Sequence, residues 1–230
     1  MKRAIKYDLS TRWTKEKITV VDSALSSLVP NCSQMTAAFG SIERDGCELV
    51  DLRCFPFTKN YSNRTVSHID FECCVWRPTT GISPVQATHC NFSLCTLDGA
   101  LNTRFEWCCF DTAKLIETIS VPETSFINCD FREASFRSCR FFQCSFEGCS
   151  FVSAKMRNTE FEECIFDQCD FSACSFKGCS FGGSRFLRSK NNFRYNQYLD
   201  DSIELTEKIF NPKFEIVDFK DTLMGKVKFD

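Results

Sequence analysis

Between Thr124 and Phe186 the large apolar residues fall at every fifth position: Phe126, Phe131, Phe136, Phe141, Phe146, Phe151, Met156, Phe161, Phe166, Phe171, Phe176, Phe181 and Phe186. Two positions before each stands a small residue, from Thr124, Cys129 and Ala134 through to Cys174, Cys179 and Ser184. A period of five fits neither the 3.6 of a helix nor the 2.0 of a strand. On a helix these phenylalanines would spread around every side, and on one long strand they would alternate between faces. A solenoid, in which each unit of five forms one side of a coil, buries them all, and self-similarity at a short period is its signature.

The units read Cys129-Asp130-Phe131, Cys144-Ser145-Phe146, Cys169-Asp170-Phe171 and Cys179-Ser180-Phe181. A small residue, any residue, Phe or Leu and two mostly polar residues is a pattern that resembles the pentapeptide-repeat family. The resemblance implies an all-β fold, a right-handed quadrilateral parallel β-helix with four units per coil and both the small and the large residue inward. Residues twenty apart would then stack, with Phe126, Phe146, Phe166 and Phe186 in one ladder and Phe131, Phe151 and Phe171 in the next. Met156 interrupts a third ladder, where a flexible thioether fills an irregular gap.

The remainder divides around this block. Residues 1–36 are not repeat-like and form an N-terminal cap. Ile18, Val21, Leu25 and Leu28 fall at helical spacing, which predicts a helix from Thr14 to Val29 ending before Pro30, against a competing β-branched run at Ile18–Val21. Residues 37–187 are the β-helix, strict over 124–187 and degenerate over 37–123. In the degenerate half Cys47-Glu48-Leu49, Ile69-Asp70-Phe71, Cys74-Val75-Trp76, Cys90-Asn91-Phe92, Cys95-Thr96-Leu97, Thr103-Arg104-Phe105, Cys108-Cys109-Phe110 and Ala113-Lys114-Leu115 fit the unit. The phase shifts near 55–68, 77–88, 98–102 and 116–123, where turn formers such as Pro56, Asn63, Pro84 and Pro122 predict loops leaving the coil corners. Residues 188–230 are a C-terminal cap, with a helix expected over Asp200–Phe210 and a strand over Phe214–Phe219.

Seventeen cysteines suggest a disulfide framework or a metal site. Eight of them occupy the small slot of the strict repeat, where Ala, Thr and Ser replace them, as a small buried side chain would allow. Paired C-x-x-C ligand spacing is absent, so neither metal nor cofactor is expected. No secretory signal or membrane-length apolar run is present, which predicts a cytoplasmic protein or one secreted into a host cell by another route. The two histidines, His68 and His89, come with no nucleophile pattern, and no phosphate-cradling or hydrolase motif occurs, so no enzyme is expected.

Function therefore falls to the outer surface. Glu160, Glu162, Glu163, Asp167 and Asp170 lie on neighbouring units and predict an acidic patch for a partner. The resemblance implies a rigid macromolecular-binding surface: a DNA mimic that engages DNA gyrase or another topoisomerase and confers antibiotic resistance or immunity. Alternatively it implies an effector that binds a host protein. A homodimer is a further implication. Charge argues against strong mimicry. From Glu123 to Arg185 the repeat carries nine acidic and seven basic side chains, and the whole chain has a formal charge of -2, which predicts direct binding to neither nucleic acid nor membrane.

Overall fold

The computed structural model describes residues 12–27, 32–77 and 80–187, together with the backbone of 193–194, 217–220 and 228–229. The five-residue units form short strands that pair in parallel with units one coil away, giving a β-solenoid with four faces. Face one stacks Val66, Ala87, Phe105, Phe126, Phe146, Phe166 and Phe186. Face two is joined by single bridges running Asp70, Asn91, Cys109, Asp130, Ser150 and Asp170. Face three stacks Trp76, Leu97, Leu115, Phe136, Met156 and Phe176. Face four stacks Ser120, Phe141 and Phe161, then bridges Glu160 to Ser180.

The predicted ladders form. Successive rings of Phe126, Phe146, Phe166 and Phe186 lie parallel with centroids 4.9, 4.8 and 4.7 Å apart. Those of Phe131, Phe151 and Phe171 follow at 5.0 and 4.8 Å. The ring separation follows from the strand spacing of about 4.8 Å. Between faces the rings meet edge to face, as Phe126 does with Phe131, which suits the aromatic quadrupole.

The small slot has its own chemistry. Cys149, Cys164 and Cys169 donate their thiols to the carbonyls of Phe126, Phe141 and Phe146 in the preceding coil, at 3.3–3.4 Å. Thr124 and Ser184 donate hydroxyls to Leu101 and Phe161 in the same way. Cys, Thr and Ser interchange because each is a compact donor that reaches one coil back, and Ala occupies the slot without that bond.

Each corner turns on the second residue after the inward Phe, held in the left-handed region. Asn128, Glu133, Ser138, Gln143, Ser153, Asn158, Glu163, Gln168 and Ala173 have φ of 49–60°. A left-handed L-residue costs about 1–2 kcal/mol. The corner amides recover it by donating across coils: Asn128 to Glu147 at 2.7 Å, Glu133 to Val152 at 3.0 Å and Gln143 to Glu162 at 2.9 Å.

The degenerate half departs from expectation. The segments expected as loops carry strands: Asn60–Ser62 pairs with Gly81–Ser83, and Thr65–Ser67 with Gln86–Thr88. Strands Thr96–Leu101 and Lys114–Ser120 run without a break from face three into face four. The phase shifts are absorbed by units of four or six residues. Leu97, Leu101 and Phe105 are buried at intervals of four, and Ser120 and Phe126 at six, while a register shift between Ile116 and Ile119 takes up the difference. A one-residue change fits in a corner or a bulge, where the chain already leaves the ladder.

The first unit is also shifted. Cys47-Glu48-Leu49 belongs to an antiparallel hairpin between β1 (Ser41–Arg44) and β2 (Cys47–Asp51). Val50-Asp51-Leu52 is the inward unit, since Val50 pairs with Ile69 and Asp51 with Asp70. The hairpin and two helices, α1 (Lys15–Leu25) and α2 (Cys32–Phe39), close this end. Helix α1 follows the predicted periodicity as far as Leu25, with Thr14 as N-cap and Val21 and Leu25 fully buried, while Leu28 and Val29 of the expected helix lie outside the described residues. The Arg12 guanidinium reaches the Asp51 carboxylate at 2.6 Å, the Trp13 indole donates to the Arg53 carbonyl at 3.0 Å, and the Tyr61 hydroxyl donates to Asp22. At the other end Val217–Lys220 is a strand on face three, whereas the helix expected over Asp200–Phe210 lies outside the described residues.

Candidate binding surfaces

The interior is filled by side chains, and the eight repeat cysteines are buried. Burial pushes the thiols of Cys90, Cys95, Cys108 and Cys129 well above the ordinary thiol range. A nucleophilic thiolate needs the opposite environment. His68 and His89 are stacked on one another at a corner of face one, centroids 5.0 Å apart, and His89 stacks on exposed Trp107 at 6.3 Å. Cys90, next in sequence to His89, points inward and donates to the Thr88 carbonyl. Among the described residues no group of three or more His, Cys, Asp and Glu is placed to hold a metal.

The five predicted acidic residues do not share one face. Glu160, Glu162 and Glu163 stand on face four and its corner, Asp167 on face one and Asp170 on face two. Several are engaged within the protein. Glu160 pairs with Arg140 from the preceding coil at 3.1 Å, and Glu163 accepts from the Gln143 amide at 2.8 Å. Asp170 caps its own turn, accepting from the Ser172 amide at 2.9 Å. Residues adjacent in sequence are dispersed because every fifth residue turns a corner.

A second set of carboxylates lies on face two, where Asp51, Asp70 and Asp130 share one column position with Asp170 on successive or nearby coils. This column is largely neutralised. Asp51 is held between Arg12 and Arg53, Asp70 and Glu72 by Arg44, and Asp130 by Arg132. Burial alone would raise the Asp51 carboxyl, but the Arg53 and Arg12 hydrogen bonds outweigh it and bring the pKa to about 2. Asp70 goes the other way: burial raises it beyond what the Glu72 amide and Arg44 restore.

Face three is different, and sequence reading missed it. Its two outward columns run Thr96, Lys114, Ser135, Lys155, Ser175, Asp218 and Asp98, Ile116, Arg137, Arg157, Lys177, Lys220. Lys114, Arg137, Lys155, Arg157 and Lys177 are all exposed. Among the described residues none of these five forms an ion pair, whereas Arg53, Arg104, Arg132 and Arg140 on the other faces each hold a carboxylate. The signal was present in the sequence at a spacing of twenty, in Arg137, Arg157 and Lys177, but a net charge sums over all four faces and cancels it.

Residues 119–193 match the family described as pentapeptide repeat region. No curated protein matches the sequence. Among solved structures, the chain is similar to a trypsin-treated form of QnrB1, a plasmid-mediated fluoroquinolone resistance protein, at 16% identity over 78% of this chain and 87% of that one, TM-score 0.45. It is also similar to the pentapeptide repeat protein Rfr23 from the cyanobacterium Cyanothece 51142, at 11% identity over 74% and 87% of the two chains, TM-score 0.24. A third likeness is to HetL from Nostoc sp. strain PCC 7120, a pentapeptide repeat protein involved in heterocyst differentiation regulation, at 11% identity over 74% and 86%, TM-score 0.21.

Proposed function

We propose that this chain, whose residues 119–193 match the family described as pentapeptide repeat region, acts as a rigid, non-enzymatic surface for a macromolecular partner. The observation that carries this reading is the division of labour within each unit. Two residues of five are committed to packing and thiol–carbonyl bonds, which leaves the outward columns to meet a ligand. Glu160, Glu162 and Glu163 form the acidic part of that surface, and the protein works in a reducing, cytoplasmic setting where its thiols persist.

Within this reading DNA gyrase is the partner to test first, on the strength of the resemblance of the repeats. Gyrase subunits retained by the tagged protein from bacterial lysate, with a supercoiling assay in which the protein shifts quinolone inhibition, are the expected results. A specific eukaryotic partner with no gyrase replaces that reading with the delivered effector. The non-enzymatic reading itself fails if iodoacetamide labels a low-pKa thiol in the folded protein and an activity is lost with it.

A further inference from the structure

We propose that face three binds the phosphate backbone of a nucleic-acid duplex. Lys114, Arg137, Lys155, Arg157 and Lys177 project from four successive rungs of one flat face. Rungs lie about 4.8 Å apart, so these cations span roughly 14 Å, about one positive charge for every 3–4 Å. One strand of B-DNA carries a phosphate every ~3.4 Å of axis, a matching linear density. The cations are stacked over one another, Arg157 between Arg137 and Lys177, so they repel unless an anion lies across them. Glu117 and Glu133 stand at the bordering corners, yet neither reaches any of the five within ion-pair distance.

The choice of a duplex over an acidic protein rests on what the face lacks. Protein–protein interfaces are anchored by apolar and aromatic residues at their centre. Among the described residues the exposed large apolar ones are Val20, Val85, Trp107, Ile119, Phe142 and Ile165, and none of these is on face three. Single-stranded nucleic acid needs aromatic platforms for its bases, which this face also lacks. Phosphate contacts need only cations, and a flat sheet face enters no groove, so binding is independent of sequence. The formal charge of -2 is no obstacle, because most carboxylates stand on the other faces with most salt-bridged arginines, and the two on face three, Asp98 and Asp218, flank the four cationic rungs on the coils before and after them. This inference concerns a different face from the acidic surface proposed above, so each can fail without the other.

The test is fluorescence anisotropy of a ~20-base-pair mixed-sequence duplex with the full chain, titrated at salt from about 50 to 200 mM. With five phosphate contacts the affinity is expected to fall about 500-fold across that range, a log–log slope near -4.5. Arg137→Gln with Arg157→Gln is expected to flatten the slope by about 1.8 while circular dichroism and Tm stay unchanged. The charge-matched control, Arg104→Gln with Arg140→Gln on other faces, is expected to leave the slope as it was. The proposal is overturned if no duplex binds at the low-salt end, or if the control weakens binding as much as the face-three pair. Tighter binding of a poly-glutamate peptide overturns it in favour of an acidic protein, and tighter binding of phosphatidylserine vesicles in favour of a membrane.

Discussion

At the scale of the residue, each inward Phe touches its counterparts one coil above and one below, so a change there damages three coils. Phe146 stacks on both Phe126 and Phe166 and is buried. Phe146→Ala is expected to cost about 3–5 kcal/mol in a denaturant titration. Phe146→Arg or Phe166→Arg places a charge in the column and is expected to abolish folding. A soluble variant with an unchanged β-rich circular dichroism spectrum would refute this register. Asp51 makes the N-terminal cap sensitive to acid. Its folded pKa of about 2 lies below the unfolded value of about 3.9, so its stabilisation is present above pH ~4 and lost as pH falls towards 2. Trp13, bonded to Arg53 beside that carboxylate, reports the loss through its fluorescence. Asp51→Asn is expected to weaken the cap at neutral pH and to remove the transition between pH ~4 and ~2.

At the scale of the element, strands of three residues are too short to be stable alone, and the corners decide their register. Gly148 illustrates how a corner column is packed. It has φ +61°, and a Cβ built there collides with the Asn128 side-chain oxygen one coil away. Gly148→Ala is expected to cost about 1–2 kcal/mol from conformation and crowding together. Combining it with Asn128→Ala is expected to recover the crowding part, a non-additivity that a double-mutant cycle reads directly. The corners also explain how legible each half was. Strict units could be placed from the positions of Phe and Cys alone, because every unit had the same length. In the degenerate half, units of four and six residues shift the phase, and a one-residue shift looks in sequence like the start of a loop. The hairpin shows the same limit, since Cys47-Glu48-Leu49 matches the motif while Val50-Asp51-Leu52 takes the inward place.

At the scale of the whole molecule, a solenoid is a one-dimensional stack in which each coil is held by its neighbours. The repeat thiols are therefore protected only while the stack is intact. In native protein Cys47 is expected to react with iodoacetamide, while Cys129, Cys139, Cys144, Cys149, Cys164, Cys169, Cys174 and Cys179 stay unlabelled until global unfolding. Peptide mapping after a native pulse checks this, and early labelling of Cys174 or Cys179 alone would show that the stack opens from its C-terminal side.

By itself the sequence determined the architecture. A five-residue period of Phe with a small partner two places earlier has one way to bury all its apolar surface, and pattern is sufficient where burial is the driving force. Which outward residues share a surface was settled only by the tertiary structure. Neighbours in sequence turn a corner every five residues, whereas neighbours in space are separated by one coil of eighteen to twenty-one residues. Glu160, Glu162, Glu163, Asp167 and Asp170 were close in the chain and are spread over three faces. Arg137, Arg157 and Lys177 were far apart in the chain and stand on consecutive rungs. Electrostatic interaction depends on distance in space, so the charge of each face existed only once the coil had closed.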